Sequence, residues 1–255
     1  MVRAGILSAI IGSLLAVTSA PAAEQPFNPT KERITTSTDR TPVDIEIIGS
    51  TSLLPDSHRL LPDLVMRLRL ERAYVSLFLS EEQPGYEILS MGLDLETGLP
   101  ASLYDAVALG PRFSEHIPGI PVLSPAELRR RNLLLRVQSD HHATRFEKFR
   151  EFALMCRGEA LGNELWAYER KQERCPRLLI NKFRRIGQLR DDVWLEVNCD
   201  NDGGPTWARC STNFPFDGFA IWLNFDRDLL PRWREVIGLA DKFLKSKQYE
   251  GSSAR

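Results

Sequence analysis

The sequence is poor in the residues and spacings that enzymes carry as signatures. Its 255 residues include four histidines and four cysteines. It contains no G-x-S-x-G, S-x-x-K, C-x-x-C or H-E-x-x-H pattern and no glycine-rich phosphate loop. That excludes motif-borne serine hydrolase, P-loop and zincin chemistry, while a site assembled from distant residues needs no motif. The net charge of −1 argues against nucleic acid or an anionic membrane as an obligatory partner. No N-x-S/T sequon escapes proline, since Asn28 is followed by Pro29. No cysteine precedes Cys156, so a lipid has no thiol near the N-terminus to occupy.

After the first residues no apolar run approaches spanning length. The N-terminus itself places Arg3 before an uncharged stretch from Ala4 to Val17 and a small-residue end, Ala20-Pro21-Ala22. That is the layout of a secretory signal, and the apolar part falls short of the ~20 residues a span needs. Residues 1–22 are therefore expected to be a cleaved signal peptide, giving a periplasmic or secreted product with no stable membrane insertion. Residues 23–42 are polar with several prolines and read as a flexible leader.

Cysteines in an exported chain should pair. Spacing favours Cys156 with Cys175 and Cys199 with Cys210 among the three possible connectivities. The second pair brackets Asn201-Asp202-Gly203-Gly204-Pro205, a run of turn residues, so it ties the neck of a hairpin. The same loop fails as a calcium site. Asn198, Asp200, Asp202 and Gly203 fit offsets 1, 3, 5 and 6, but offset 12 is Arg209 where a bidentate glutamate belongs.

Period-two alternation marks half-buried strands. Val43, Ile45 and Ile47 share one face. Leu64, Met66, Leu68 and Leu70 share another, running on into AYVSLFLS, and Leu89, Met91, Leu93 and Leu95 a third. Ser124-Pro125-Ala126-Glu127 is a capping box with proline at the first helical position, so a helix is expected over Pro125 to Arg131, followed by the strand NLLLRVQ. Phe146, Phe149 and Phe152 suit a helix in RFEKFREFALMC, with a change to strand by Ala153 as the alternative. ELWAYER, RLLINKF, DVWLEVN and FAIWLNF read as strands. At the end, Leu230, Trp233, Ile237, Ala240 and Leu244 form one apolar stripe, with Asp228 as N-cap. The expected fold is α+β: antiparallel sheets with a C-terminal amphipathic helix packed on the sheet. Residues 43–138 form one β-rich half with a short helix, 139–246 a disulfide-bonded half, and 247–255 a disordered tail.

Asp140, His141 and His142, with Glu147 close by, form the one histidine cluster. Adjacent histidines diverge on either a strand or a helix, and His58 and His116 lie far off, so a solvated turn is the plainer reading. Arg129-Arg130-Arg131 reads as a wetted helix end. Asp94 with Glu96, Asp226 with Asp228, and Asp191 with Asp192 read as solvated carboxylates. Charge is uneven further on. Arg170, Lys171, Arg174, Arg177, Lys182, Arg184, Arg185 and Arg190 outnumber Glu169 and Glu173, and a run of acids from Asp191 to Asp202 follows. This is either cross-strand neutralisation or a recognition face with Trp166, Tyr168 and Trp207 as aromatic anchors. The partner-binding candidates are Trp207, Arg209, Arg184 and Arg185.

The closing pattern, a cysteine-tied hairpin, then FAIWLNF, then Leu230-x-x-Trp233-x-x-x-Ile237, resembles the tail of periplasmic immunity proteins of interbacterial toxin systems. It spans about Val193 to Leu244. The resemblance implies a protein that blocks a toxin by covering it, and carries no site residues across. The expected function is thus an exported, non-enzymatic, protein-binding protein without cofactor or metal, its partner a toxin it neutralises. A metal-dependent envelope hydrolase using Asp140, His141, His142 and Glu147, or a small-ligand carrier, is the alternative.

Overall fold

The computed structural model describes residues 38–52, 58–79, 88–108, 117–138, 143–169, 175, 184–199 and 208–250. The signal peptide, Asp140, His141, His142, His116, Trp207, the RLLINKF segment and nearly all of the expected flexible leader lie outside them.

Strands β1 (Pro42–Ser52) and β2 (His58–Glu71) pair antiparallel as a separate ribbon. Val43, Ile45 and Ile47 stand opposite Leu70, Leu68 and Met66, and all of these six positions except Val43 are buried. The outward positions pair by charge, Arg67 with Glu46 at 2.7 Å and Arg69 with Asp44 at 2.6 Å. One alternating sequence thus gives one apolar and one ionic face.

The remaining described strands build one antiparallel sheet of nine, in the order β3-β4-β5-β11-β10-β9-β8-β7-β6. They are β3 (Val75–Leu79), β4 (Ile88–Asp94), β5 (Asn132–Gln138), β6 (Arg157–Gly162), β7 (Leu165–Tyr168), β8 (Arg184–Arg190), β9 (Val193–Cys199), β10 (Arg209–Phe216) and β11 (Phe219–Asp226). Helices α1 (Ala101–Ala108), α2 (Pro125–Arg131), α3 (Ala143–Cys156) and α4 (Trp233–Lys247) pack around it. The α+β class and the C-terminal helix are as the periodicity indicates. Both halves of the chain enter this one sheet, because β5 pairs with β11 from Ala220 against Gln138 to Asn224 against Leu134.

One face of the sheet is the core. Leu89, Met91, Leu135, Val137, Ile221 and Leu223 project from its central strands into a cluster with the ribbon and with Val236, Ile237, Ala240 and Leu244 of α4. Trp233, the first residue of α4, is wholly buried, and its indole Nε1 donates to the Asn163 carbonyl at 2.9 Å. Its ring sits so close over Gly187 that a Cβ there would lie 2.8 Å from it. Glycine at this point of β8 is therefore a packing requirement, and the α4 tryptophan locks the turn between β6 and β7.

Several elements differ from the sequence reading. The strand expected to run through Leu70 into AYVSLFLS is broken by a 3-10 turn, Arg72–Tyr74. The Thr41 and Asp39 carbonyls accept the Arg72 and Ala73 amides at 2.9 and 2.7 Å, and the Tyr74 hydroxyl donates to the Gly98 carbonyl at 2.6 Å. These bonds turn the chain from the ribbon into the nine-stranded sheet. They also engage residues at the end of the segment expected to be a flexible leader. RFEKFREFALMC is helix to Cys156 and only then strand. Strands β6, β8 and β10 were not expected as such. Before α4, residues Arg227–Arg232 form a 3-10 turn capped by Asp226, whose carboxylate accepts the Asp228 amide at 2.9 Å, so the cap lies two residues earlier than Asp228. At the other end of α4, within the expected tail, Tyr249 donates its amide to the Arg67 carbonyl at 3.3 Å.

The reading of Asp94, Asp226, Arg129 and Arg131 as solvated groups is corrected, while Arg130 is exposed. Asp94 and Asp226 are 3% and 2% exposed. Asp94 accepts from Arg131 Nε and Nη2 at 2.7 and 2.8 Å and from the Thr97 amide and hydroxyl at 2.9 and 2.7 Å. Asp226 accepts from Arg129 Nε at 2.7 Å. The two arginines lie two apart on the short capped helix α2, which so becomes a clamp on the ends of β4 and β11. Burial pushes the Asp94 carboxyl up, but the bonds from Arg131 and Thr97 outweigh it and leave the group below the ordinary carboxylate value.

Cys156 is bonded to Cys175 and Cys199 to Cys210. The second pair sits directly opposite in the β9–β10 register, with Cα atoms 3.9 Å apart.

Two predictions follow from the clamp and the crosslink. Asp94→Asn is expected to lower stability at neutral pH by about 3 kcal/mol, since it removes one partner of a buried ion pair. A carboxyl lowered in the folded state contributes stability that is present above its ordinary value, about 3.9, and is lost as pH falls through the lowered value. Urea titrations of the variant should therefore show a flatter loss below about pH 4. The Cys199→Ser, Cys210→Ser double variant is expected to lose about 3 kcal/mol. In calorimetry that corresponds to a melting point roughly 6–12 °C lower.

Candidate functional site

The second face of the sheet follows from the same alternation that builds the core. In β11, Ile221 and Leu223 point inward, so Trp222 and Asn224 point to the other side. In β5, Leu135 and Val137 point inward, and Leu134 and Arg136 do not. In β10, Cys210, Thr212 and Phe214 are buried, and Ser211 and Asn213 are half-buried.

Register joins these outward positions into rows. Ser90 stands opposite Arg136, Arg136 opposite Trp222, and Trp222 opposite Asn213. In the next row Leu134 stands opposite Asn224, Asn224 opposite Ser211, Ser211 opposite Asn198, and Asn198 opposite Arg184. The result is a strip of amides, hydroxyls and arginines around one tryptophan. The Arg136 guanidinium carbon lies 4.8 Å over the Trp222 ring centre, and its Nε donates to the Ser90 hydroxyl at 3.2 Å.

Helix α3 bounds the strip on one side. Its Phe149 and Phe152 pack with Ile186, Trp194 and Trp166 over β7 to β9. Between helix and sheet runs a cleft of about 50 Å³ lined by Phe146, Phe149, Trp194, Glu196 and Asn213. On the other side stand α2 and its ion pairs with Asp94 and Asp226. A separate groove of about 240 Å³ lies by α4, with Leu95, Leu229, Val236 and Leu239 as apolar lining and Arg130 and Glu235 at its rim.

The sequence candidates fall unevenly on this geometry. Arg209 lies on the second face but is engaged within the fold. Its Nε donates to Asn224 Oδ1, and its Nη2 donates to the Asn132 and Asn224 carbonyls at 3.0 and 2.9 Å. It ties β10 to β11 and to the start of β5. Burial draws its guanidinium below the ordinary value, with the Asp226 carboxylate opposing that and Arg129 adding to it. Arg184 also lies on the second face, its Nε 2.6 Å from Glu196 Oε1. Arg185 follows it on the strand and pairs with Val197, an inward position, so the two arginines point to opposite faces. Burial draws the Arg185 guanidinium down as well.

Trp207 lies outside the described residues, as do three of the four hydrolase candidates. The fourth, Glu147, falls on α3. Among the described residues no group of three histidine, cysteine or acidic side chains could hold a metal, and no helix is long and apolar enough to cross a membrane.

The residues that sequence reasoning passed over are Trp222, Arg136 and Asn213. A signal for the first two was present. Within FAIWLNF and NLLLRVQ the tryptophan and the arginine occupy the polar parity of strands whose other parity is aliphatic. Only the pairing of β5 with β11 shows that they are neighbours.

No family model matches this chain, and no curated protein does. A solved structure described as Smlt3025, an immunity protein of the Stenotrophomonas maltophilia type IV secretion system, is similar to it at 10% sequence identity and a TM-score of 0.42. The match covers 80% of this chain and 94% of that one. At that overlap no residue role passes from one chain to the other.

Proposed function

We propose that this is an exported protein, periplasmic or secreted, whose task is to bind another protein, a toxin that it neutralises by covering, and that it performs no chemistry of its own. The observation that carries the reading is the second face of the sheet. Trp222 stands half-exposed at its centre, backed by Arg136 and surrounded by Asn213, Ser211 and Asn224. Tryptophan and arginine are the residues that dominate binding energy at protein interfaces, and they act from the centre of a patch. Amides and hydroxyls around them supply hydrogen bonds without the desolvation cost of charges.

The rest of the molecule supports a role in recognition. The strip is carried on strands whose ends are tied by the Cys199–Cys210 bond and, one register step away at Asp226, clamped by α2. A face held in that way loses little conformational freedom on binding. The disulfides belong with the oxidising compartment that the N-terminal sequence points to. Arg184 is assigned to the rim, and Arg209 to support within the face.

The test uses the full chain with its own export signal, co-expressed with a candidate toxin encoded beside its gene. The wild type is expected to protect the host. Trp222→Ala and Asn213→Arg are expected to weaken binding about tenfold or more, as truncation at an interface centre does, with melting points unchanged within 2–3 °C, or about 1 kcal/mol. Leu161→Arg, on the exposed strand β6, is expected to bind as the wild type does. Equal affinity for all variants would remove the face from the proposal, and absence of binding by the wild type to any such candidate would remove the function.

A further inference from the structure

Most arginines whose side chains are described are matched to a carboxylate. Arg67 pairs with Glu46, Arg69 with Asp44, Arg129 with Asp226, Arg131 with Asp94 and Arg184 with Glu196. Arg136 is one of the described arginines with no such pair. Its neighbours across the strip are Ser90 and Trp222, and among the described residues no carboxylate pairs with it. Its Nε is taken by Ser90, its flat face rests on the indole, and its terminal nitrogens are not sealed into the protein without a partner.

A guanidinium held by its Nε and by one face is limited in how its planar terminal edge can turn. That edge matches the two oxygens of a carboxylate. Stacking on tryptophan stabilises the cation where it stands and limits its rotamers, so the entropy of ordering a long side chain has largely been spent before a ligand arrives. The surroundings add selectivity. Asn213, Ser211 and Asn224 are neutral, Arg209 adds positive charge from within the face, and Glu196, the acid in the adjoining cleft, is matched by Arg184.

We propose that Arg136 is a preset seat for a carboxylate, the Asp or Glu side chain that the protein partner inserts at the centre of the interface. The inference rests on the protein-binding reading above and names the chemistry the partner must bring: an acidic residue flanked by groups that hydrogen-bond to amides. Arg136 sets the register of the complex by receiving that carboxylate bidentately, while Trp222 packs against the stem of the same side chain.

The experiment follows the indole N–H resonance of Trp222 in the full-length protein, assigned through Trp222→Phe, during titration with the peptide Ac-(Glu-Ala)4-NH2. Its neutral counterpart Ac-(Gln-Ala)4-NH2 and inorganic phosphate are run in parallel. The glutamate peptide is expected to move the resonance with an affinity about tenfold above that of the glutamine peptide, the usual gain from charging a hydrogen bond. Arg136→Met should abolish the difference. Arg136→Lys, which keeps the charge and loses the planar fork, should retain only part of it, and it serves as the readout if the methionine variant fails to fold. Equal response to both peptides, or an unchanged response in Arg136→Lys and Arg136→Met, overturns the proposal. Phosphate binding as tight as the glutamate peptide overturns the carboxylate assignment in favour of a general anion site. Neutralisation of a cognate toxin that is indifferent to Arg136 removes the seat and leaves the function. A seat that responds to glutamate in a protein with no toxin partner removes the function and leaves the seat.

Discussion

A sheet of nine strands has two faces, and among the described residues the apolar cover is concentrated on one. The α4 helix and the β1–β2 ribbon are placed on the same side, where Ile45, Leu68, Ile237 and Leu244 close over the aliphatic rows of β4, β5 and β11. Burial of this kind is worth roughly 25 cal/mol per Å² of apolar surface, which sets where the hydrophobic residues go. The other face must then be finished differently. Helix α3 covers the β7 to β9 end with aromatic contacts, and α2 grips the opposite end through ion pairs. Between them the outward residues have to tolerate water. That requirement makes them amides, hydroxyls and arginines, and it makes Trp222 the exception that asks for a reason.

Neighbouring strands at this end of the sheet are held by different means because the local chemistry differs. At the α2 end two carboxylates are buried, and a buried charge is tolerable only if it is paired and its remaining lone pairs are satisfied. Asp94 meets that condition with four donors. The Thr97 hydroxyl that donates to it lies 2.8 Å from the Tyr104 hydroxyl, and the Arg131 guanidinium carbon lies 5.3 Å from the centre of the Tyr104 ring, so α1, α2 and β4 are fixed by one polar cluster. Beside the Asp226 pair, the Cys199–Cys210 bond closes the hairpin at a directly opposed pair, and further along Thr212 donates to the Glu196 carbonyl at 2.8 Å. Polar clamp and covalent tie both act on strands that carry the strip, and together they fix one set of strand ends.

Much of the architecture was legible in the chain. Alternation gave β1, β2 and β4, the run after the capped helix gave β5, and short aromatic or β-branched segments gave β7, β9 and β11. The Ser124–Glu127 capping box gave α2, and the Trp233–Leu244 stripe gave α4. What stayed hidden has physical causes. Strand β10 reads RCSTNFPF, where the buried positions Cys210 and Thr212 are small or polar and so give no hydrophobic signal. Strand β8 contains Gly187, which looks like a breaker and is there because Trp233 presses on that point. The break at Arg72–Tyr74 falls in a run whose pattern changes from alternating to three buried residues in succession, a change that only the bonds from Asp39 and Thr41 explain. Buried Asp94 and Asp226 carry no local mark distinguishing them from surface acids, since their partners on α2 come close only through the sheet. The site was the least legible part. Arg136 and Trp222 are far apart in sequence, and their adjacency is a property of which strands pair.

On the protein-binding reading proposed above, the second face is a surface for recognition. Chemistry needs groups whose protonation is poised near the working pH and which face a common substrate atom. The shifted groups described here are carboxylates lowered by arginine or by capping bonds, arginines, and Tyr74, whose phenol is pushed up to about 12 by burial. Every one of them is thereby held more firmly in its ordinary charge state at neutral pH or left in it. Such groups fix shape and potential, and they do not exchange protons. A rigid face with a fixed pattern of donors, one stacked guanidinium and one central aromatic is specific in proportion to how little it can rearrange, because a wrong partner leaves buried polar groups unmatched at a cost that rigidity prevents the face from relieving.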